Sequence, residues 1–389
     1  MHRKSILAIT LAHVSVDIQT GSLAVLLPLL LSTFNLNYAA AAAIITANNI
    51  IIAVAQPLFG ILGDHKSYKW MVPVGCLLTG AAMVSVLWQP YYGLVLAAVI
   101  LSGIGSAMFH PEALSRIRAV SGAKATSGTS FFFSGGNVGF ALGPIFATVL
   151  LERLGKAGGL LMLLPTLLAA VLLWTQWETI AQQGAKKAKT VAASAVRPWQ
   201  AAAGLVAFLM LLITLRSTVV TGLQSFIPLY FHHTGDLNRE AAAFLVTLLA
   251  ICGAAGTLTG GLLADRYGRK LTMATTALLG LGFLYVFLHS SGIVQMAAIG
   301  LAGASLSAAW PIIVVMIQET MPGNVGLASG LSLGTAYGAS GLGVGILGSF
   351  ADAFGLPATM QLLTLLPTGI FLMTLFVPER RAKAVAATD

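Results

Sequence analysis

Two ionisable residues one helical turn apart stand inside the first apolar stretch of the chain. His13 and Asp17 are four residues apart, so a helix would place both side chains on one face. Asp17 lies about twelve residues, or roughly 18 Å, into that stretch at the helical rise of 1.5 Å per residue. A charge at that depth is costly unless it is paired or hydrated. We therefore expect Asp17 to load and release a proton with help from His13; a purely structural hydrogen-bonded pair is the alternative.

Arg216, on the seventh apolar stretch, is the only basic residue that we place inside a predicted crossing. Its guanidinium keeps its charge, so it needs either an anion or contact with water. The anion would be Asp17 across a cavity or an anionic substrate; the water would be that at the edge of the apolar layer. Asn137 and Gln56 are further polar candidates for binding a substrate, and Phe109 is a candidate for the wall of the same pocket. Helix packing is the alternative role for these last three.

A second set of polar residues stands where apolar stretches end. Glu112 and Arg116 are four residues apart and can pair along one helix face. With His110 they are expected to form a gate, and Glu112 is also a candidate for the proton path. Glu319 ends the corresponding stretch of the second half, where it would close the gate against the first half. A simple ion pair at a helix end is the alternative.

The composition defines the elements that must position these residues. Of the 389 residues, 57% are hydrophobic and only 8% are charged, whereas soluble domains have about 25% charged residues. This excludes a soluble enzyme and a disordered chain. The apolar runs are long and unbroken, unlike the alternating segments of about ten residues in a membrane β-barrel. The sequence thus predicts an all-α membrane protein.

Twelve stretches are long enough to cross a membrane, which takes about 20 apolar residues. They separate into two sets of six, joined by one long polar connection over residues 179–199. This predicts a six-helix bundle over 1–178 and another over 200–389. The predicted crossings are 5–33, 40–63, 71–89, 92–114, 124–151, 158–178, 200–231, 239–264, 271–289, 292–318, 323–350 and 357–377.

The positive charges report topology. With the N-terminus in the cytoplasm, 17 of the 21 lysines and arginines fall on the cytoplasmic side and three on the other, a strong bias of the positive-inside kind. Both termini are therefore expected to be cytoplasmic, and the net charge of +9 is no sign of nucleic-acid binding. The two cysteines, Cys76 and Cys252, lie in different halves and indicate neither a disulfide framework nor a metal motif.

The two halves repeat each other. Gly60 to Asp64 recurs as Gly261 to Asp265 at an offset of 201, and His110-Pro111 matches Trp310-Pro311 at 200. Four glycines match at an offset of 202: Gly128, Gly136, Gly139 and Gly143 with Gly330, Gly338, Gly341 and Gly345. Such an offset predicts halves related by an axis along the membrane normal, with a binding site between them near the midplane.

The second copy of the first repeated motif resembles motif A of the major facilitator superfamily. It runs from Gly261 to Lys270 and includes Asp265, Arg266 and Arg269. The resemblance implies a latch, in which the acid meets Arg266 or a neighbouring helix end. In the first half only Gly60 and Asp64 match the motif.

The fifth apolar stretch resembles the antiporter motif C of the same superfamily. Gly135, Gly139 and Gly143 are spaced by four and Pro144 follows. Small residues at this spacing let helices pack closely, and we expect the stripe to seal the resting protein against leaks as well. The arginine expected for motif B is replaced by Val99.

Short motifs along the whole chain, among them His13 to Asp17, Phe109 to Glu112 and Gln318-Glu319, are similar to those of bacterial efflux pumps for the phosphonate antibiotic fosmidomycin. This resemblance implies a transporter of the bacterial inner membrane that exports a small drug or metabolite, with an anionic phosphonate as a candidate, by proton antiport and alternating access. A proton-coupled uptake symporter or a uniporter on the same fold remains the alternative.

We expect the partners to be the small-molecule substrate, protons and membrane lipids, and the chain to act as a monomer without a cofactor. An intramembrane metalloenzyme using His13, Asp17, His110 and Glu112 is disfavoured, because His110 and Glu112 do not share a helix face and no HExxH motif occurs. No enzymatic activity and no metal site are therefore predicted.

Overall fold

The computed structural model describes residues 2–36, 38–65, 68, 70–193, 203–234 and 237–378, and these contain helices but no strand. A short 3₁₀ turn, Val86–Trp88, follows the third helix. The α-helices are α1 Arg3–Phe34, α2 Tyr38–His65, α3 Met71–Ser85, α4 Tyr92–Ser121, α5 Ala125–Leu161, α6 Leu164–Ala193, α7 Ala203–Thr234, α8 Arg239–Tyr267, α9 Arg269–His289, α10 Gly292–Ala308, α11 Trp310–Thr320 and α12 Val325–Leu375.

Ten stretches of the described chain are long and apolar enough to cross a membrane. Two of them, Ala125–Glu178 and Val325–Leu375, have 54 and 51 residues, more than twice the roughly 20 residues that one crossing needs. Each is interrupted by a glycine in the left-handed region, Gly155 with φ 59° and Gly355 with φ 85°. These two breaks make four crossings out of two stretches, which gives the twelve that the sequence predicts.

Two boundaries differ in detail from the sequence prediction. The tenth crossing is built from two helices, α10 and α11, which meet at Ala309 just before Trp310-Pro311. Proline lacks the N–H that would continue the hydrogen-bond ladder. Helix α6 runs on to Ala193, so the first part of the predicted connection 179–199 is helical, and residues 194–199 lie outside the described part. The two predicted six-helix domains stay a prediction.

The glycine stripe of α5 packs against α1 within the first half. A Cβ on Gly139 would lie 2.9 Å from the Cα atom of Val14, and one on Gly143 would lie 2.9 Å from the amide nitrogen of Ser22. The Ser22 hydroxyl also donates to the Gly143 carbonyl at 3.1 Å. The stripe thus holds α1, which carries His13 and Asp17, directly against α5.

The halves are joined at one end of the bundle, which we call the basic end. At this end the described chain begins, and it holds the connections α2–α3, α4–α5, α8–α9 and α11–α12. Asp64, at the end of α2, accepts hydrogen bonds from the backbone N–H groups of Gly326 and Leu327, both at 2.7 Å. Asp265, at the end of α8, accepts from the N–H and the hydroxyl of Ser127 at 2.9 and 2.6 Å. Each acid therefore lies at the N-terminus of a helix of the opposite half, where unpaired N–H groups and the helix dipole favour a negative charge.

An ion-pair network lies at the same end. Arg269 donates to both carboxylate oxygens of Glu319, at 2.6 and 2.9 Å. Arg118 of the first half lies 3.5 Å from the same carboxylate. Glu319 thus links α4 of the first half to α9 and α11 of the second.

The contact between the halves also buries polar side chains. Gln56 is fully buried, and its amide nitrogen and oxygen have no partner among the described residues; the same is true of the hydroxyls of Thr126 and Ser130. Gln56 lies where α2 packs beside Gly330, and Thr126 and Ser130 lie where α5 packs beside Gly261. A Cβ on Gly330 would lie within 3 Å of the Gln56 backbone, and one on Gly261 within 3 Å of Ser130 and of the Thr126 carbonyl oxygen. We call this group the polar seam.

Candidate functional site

A cavity of about 210 Å³ lies between the two halves. Helices α1, α4 and α5 form its first-half wall, and α7, α11 and α12 form its second-half wall. The first wall consists of His13, Asp17, His110, Phe133, Gly136 and Asn137; the second includes Arg216, Ser217, Thr221, Trp310, Tyr337 and Ser340. Acid and imidazole groups thus face an arginine across one cavity.

Three ionisable side chains converge on the first wall. The Oδ2 atom of Asp17 lies 3.1 Å from Nε2 of His13, and its Oδ1 atom lies 3.3 Å from Nε2 of His110. The two Nε2 atoms are 3.1 Å apart. Both imidazoles are buried, while 13% of the Asp17 side chain is exposed. We call these three residues the triad.

The outer nitrogens of the two imidazoles define their tautomers. Nδ1 of His13 lies 2.7 Å from the carbonyl oxygen of Phe132, and Nδ1 of His110 lies 2.8 Å from that of Ser106. Because a carbonyl oxygen only accepts, both Nδ1 atoms carry hydrogen. In the neutral rings both Nε2 lone pairs would then face each other and the Asp17 carboxylate. At least one further positive charge, such as a proton, is needed among these atoms.

Packing fixes the orientation of the triad. The His13 ring stacks on Phe132 with a centroid distance of 3.9 Å and lies edge-to-face with His110 at 4.8 Å. Phe109 is fully buried behind this cluster, 6.0 Å from the His13 ring. A rigid apolar backing holds the polar atoms toward the cavity.

Arg216 is half-buried on the opposite wall. Its Nε atom donates to the carbonyl oxygen of Leu306 at 3.2 Å, and its guanidinium lies 5.5 Å from the ring centroid of Trp310. Among the described residues, no carboxylate lies within ion-pair distance of it. An ion pair with Asp17, one of the predicted alternatives, is absent from this part of the chain in this structure.

Some predicted substrate contacts lie on the cavity wall and others do not. His13, Asn137 and Arg216 line the cavity. Gln56 belongs to the polar seam and Phe109 backs the triad, so neither reaches the cavity in this structure. Both face neighbouring helices, which one chain's apolar pattern cannot distinguish from a cavity.

The predicted gate residues of α4 lie in two places. Glu112 and Arg116 form a buried ion pair along one helix face, with Arg116 5.9 Å from the Trp177 ring. His110, predicted to belong to the same gate, instead joins the triad. Glu112 is not part of the cavity wall. Arg266 lies 5.2 Å from the Tyr267 ring, and it is Ser127, not Arg266, that Asp265 contacts.

The sequence prediction missed Ser217 and the place of His110 on the wall. The repeat could have predicted both positions. Ser217 follows Asp17 by 200 residues, and Trp310 follows His110 by the same offset. In each half these two positions line the cavity. Equivalent positions therefore carry ionisable groups in the first half and a hydroxyl and an indole in the second.

Twelve crossings in two repeated sets, enclosing a polar cavity, define a membrane transporter. The sequence model of the Major Facilitator Superfamily matches residues 9–238 and 232–389. The chain belongs to this superfamily, whose members are transporters and not enzymes.

Individual relatives agree with this assignment. The chain is 30% identical to the fosmidomycin resistance protein of Escherichia coli (strain K12) over 385 residues, which cover 97% of this chain and 93% of that protein. It is 27% identical to an uncharacterized MFS-type transporter of Bacillus subtilis (strain 168), YfnC, over 93% of this chain and 90% of the relative.

Solved structures share the fold. The superfamily transporter FucP in its outward conformation aligns with a TM-score of 0.73 and 17% identity over 96% of this chain and 99% of its own. The human organic anion transporter MFSD10 aligns with a TM-score of 0.76 and 14% identity over 96% of this chain and 99% of its own. At these identities the likeness concerns the fold alone.

Proposed function

We propose that the protein exports a small drug or metabolite, of which an anionic phosphonate such as fosmidomycin is the leading candidate, by proton antiport. The observation that carries the proposal is the triad on one wall of the cavity with Arg216 on the other. The triad requires at least one positive charge, and the guanidinium offers an anion site in the same cavity.

Competition couples the two fluxes. A proton on the triad neutralises the Asp17 carboxylate, and loss of that proton restores a negative wall. A substrate held by Arg216 and Asn137 experiences this change, because all three groups line one cavity of about 210 Å³. Alternating access then carries proton and substrate in opposite directions.

The basic end is proposed to face the cytoplasm of a bacterial inner membrane. The support is the bias of lysines and arginines toward that end and the bacterial origin of the fosmidomycin resistance protein. In this orientation the contacts of Asp64, Asp265 and Glu319 close the cytoplasmic side. Labelling of single cysteines introduced at Lys124 and Arg153 with a membrane-impermeant thiol reagent tests it: only the second should react in intact cells.

The cavity belongs to one chain. Both of its walls come from the two halves of the same molecule, so we propose that a monomer suffices for transport. Lipids surround the bundle as solvent.

Replacement of Asp17 with Asn tests the antiport. We expect export driven by an imposed proton gradient to fall to background in everted vesicles, and fosmidomycin resistance of an overexpressing strain to disappear, because the amide cannot take up and release the proton. Asp352→Asn, which removes an exposed carboxylate of α12, is the matched control and should retain both.

The direction of transport is read in the same strain. A proton gradient that lowers cellular drug supports antiport; one that raises it supports the symport alternative. Full export by the Asp17→Asn protein would contradict the proposal.

A further inference from the structure

We infer that the triad of His13, Asp17 and His110 is also a binding site for a divalent first-row transition metal, with Zn²⁺ as the ion that it suits best. The inference rests on the proposed function in one respect: metal and proton would occupy the same atoms and so exclude each other. From the sequence alone a metal site is disfavoured because His110 is paired with Glu112; in the structure His110 instead joins His13 and Asp17.

The donor set is of the right chemical kind. Two imidazole nitrogens and one carboxylate oxygen suit Zn²⁺ and neighbouring divalent ions such as Co²⁺. Three protein ligands leave a coordination position open, as in zinc sites that bind an exchangeable molecule. That position faces the cavity, where water or an anionic oxygen of the substrate completes the shell.

The spacing of the donor atoms fits one small ion. The two Nε2 atoms are 3.1 Å apart, and Asp17 oxygens lie 3.1 and 3.3 Å from them. Zn–N and Zn–O bonds of about 2.0 Å in tetrahedral geometry separate neighbouring ligand atoms by about 3.3 Å. The two contacts of Asp17 use different oxygens, Oδ2 toward His13 and Oδ1 toward His110, and one donor atom from each of the three residues lies within 4.8 Å of the others. A modest movement of the side chains would bring both Nε2 atoms and one carboxylate oxygen to bonding distance from a single ion.

The tautomers are those that metal binding requires. Both Nδ1 atoms donate to backbone carbonyls, of Phe132 and Ser106, so in the neutral rings both Nε2 atoms carry lone pairs, and these atoms lie 3.1 Å apart beside the Asp17 carboxylate. Histidines that bind metal characteristically donate their other ring N–H to a carbonyl or carboxylate, which fixes the ring. Ser106 on α4 and Phe132 on α5 supply these acceptors, and neither residue belongs to the triad.

Gly136 provides the space. A Cβ built on this residue would lie 2.5 Å from Nε2 of His13 and 2.6 Å from Oδ2 of Asp17. The missing side chain thus leaves room directly beside two of the donor atoms, on the cavity wall. A methyl group there would obstruct an ion without removing any ligand.

Cobalt binding tests the site directly. The full chain, purified in detergent and stripped with a chelator, is titrated with Co²⁺ and followed by its visible absorption. We expect one Co²⁺ per chain in a low-coordinate nitrogen and oxygen environment, displacement by Zn²⁺, and release of protons on binding. His110→Gln and Gly136→Ala should each weaken binding more than tenfold.

Two matched controls locate the ion. Gly338→Ala changes the glycine that corresponds to Gly136 in the second half, where the nearest atom to a new Cβ is 3.9 Å away, and should bind Co²⁺ normally. His289→Ala removes an exposed imidazole of α9 and should do the same. Equal melting temperatures of the stripped variants show that each is folded.

Two results would overturn the inference. If no variant and no wild-type protein binds Co²⁺, the triad holds protons only; if His110→Gln and Gly136→Ala bind as tightly as wild type, the ion sits elsewhere. Either result leaves the antiport proposal standing as long as Asp17→Asn abolishes proton-driven export. Conversely, if the wild-type protein binds Co²⁺ as expected but the Asp17→Asn protein still exports the drug, the metal site stands and the antiport proposal fails.

Discussion

At the scale of single residues, the cavity carries an acidic side chain on one wall and an arginine on the other, and the described residues show no ion pair between the two. Asp17 is engaged by His13 and His110, and Arg216 is held by a carbonyl oxygen and an indole ring. Neither the Leu306 carbonyl nor the Trp310 ring is an anion that would balance the charge of the Arg216 guanidinium. This is why we propose a substrate anion as the partner of Arg216.

Replacement of Arg216 with Gln should distinguish anionic from neutral substrates. Hydrogen bonds to a charged group contribute about 1.5–3 kcal/mol, so we expect export of an anionic drug to fall by at least about tenfold and that of a neutral drug to change little. Transport assays with both drugs in everted vesicles measure the difference.

Arg153→Gln, an exposed arginine of α5 near the break at Gly155, is the control and should transport both drugs normally. An equal loss for both drugs in Arg216→Gln would mean that Arg216 merely fastens α7 to α10 through the Leu306 carbonyl.

Residue types alone revealed part of this site. His13 and Asp17 were predictable because they are one helical turn apart within one stretch. The sequence predicts a gate role for His110 because Glu112 and Arg116 are near it in the chain, but a helix turns about 100° per residue, so such neighbours need not share a face. Its partners come from α1, and that contact depends on how helices pack.

At the scale of the helices, the stripe of Gly135, Gly139 and Gly143 determines how close α1 comes to α5. The corresponding stripe of the second half behaves differently: a Cβ on Gly341 or Gly345 would meet no atom within 4 Å. Gly341 and Gly345 repeat the spacing of Gly139 and Gly143, but only the first pair packs closely against another helix in this structure.

Replacement of Gly139 with Val should therefore be much more damaging than the same change at Gly341. The larger side chain would overlap the Val14 backbone and separate α1 from α5, at a cost of about 1–3 kcal/mol for overpacking. Melting temperatures in detergent measure the effect, and we expect a clear decrease for Gly139→Val only.

Gly341→Val is the matched control at an offset of 202 residues. Equal melting temperatures for the two variants would contradict a packing role that is specific to the first half. The sequence predicted close packing for the stripe, but it could not name α1 as the partner, because spacing says nothing about which helix is adjacent.

At the scale of the whole molecule, the repeat makes closure of the basic end twofold. Asp64 caps a helix of the second half and Asp265 caps one of the first. The two halves are thus held together by equivalent contacts on both sides of the axis that relates the repeats. The ion pair between Glu319 and Arg118 adds a third contact.

Asp64→Asn and Asp265→Asn should shift the protein toward states in which the basic end is open. Each change keeps the shape but removes a charge from a helix N-terminus, where a carboxylate is stabilised by N–H groups and the dipole. Spin labels on Lys124 and Thr320, in a background without native cysteines, should report a larger fraction of long distances.

Asp352→Asn leaves both caps intact and should give the wild-type distance distribution. Unchanged distributions in both cap variants would show that the caps do not hold the closed state. The sequence predicted contact between these acids and a neighbouring helix end; the particular helix, in the opposite half, follows only from the assembled bundle.

The number of crossings and the repeat were predictable because both depend on the chain's own pattern: apolar length and a nearly constant offset. The polar seam was not, because Gln56 has the same sequence signature whether it faces a cavity or another helix.

The polar seam would make water a participant in the proposed transport cycle. The buried amide of Gln56 and the hydroxyls of Thr126 and Ser130 have no partner among the described residues while the basic end is closed, and separation of the helices would hydrate all of them. Opening therefore takes up water, and closing releases it. Osmolytes such as sucrose, which are excluded from protein surfaces, should prolong the closed state, so the turnover of this transporter is expected to respond to the osmotic strength of the solution on the side of the basic end.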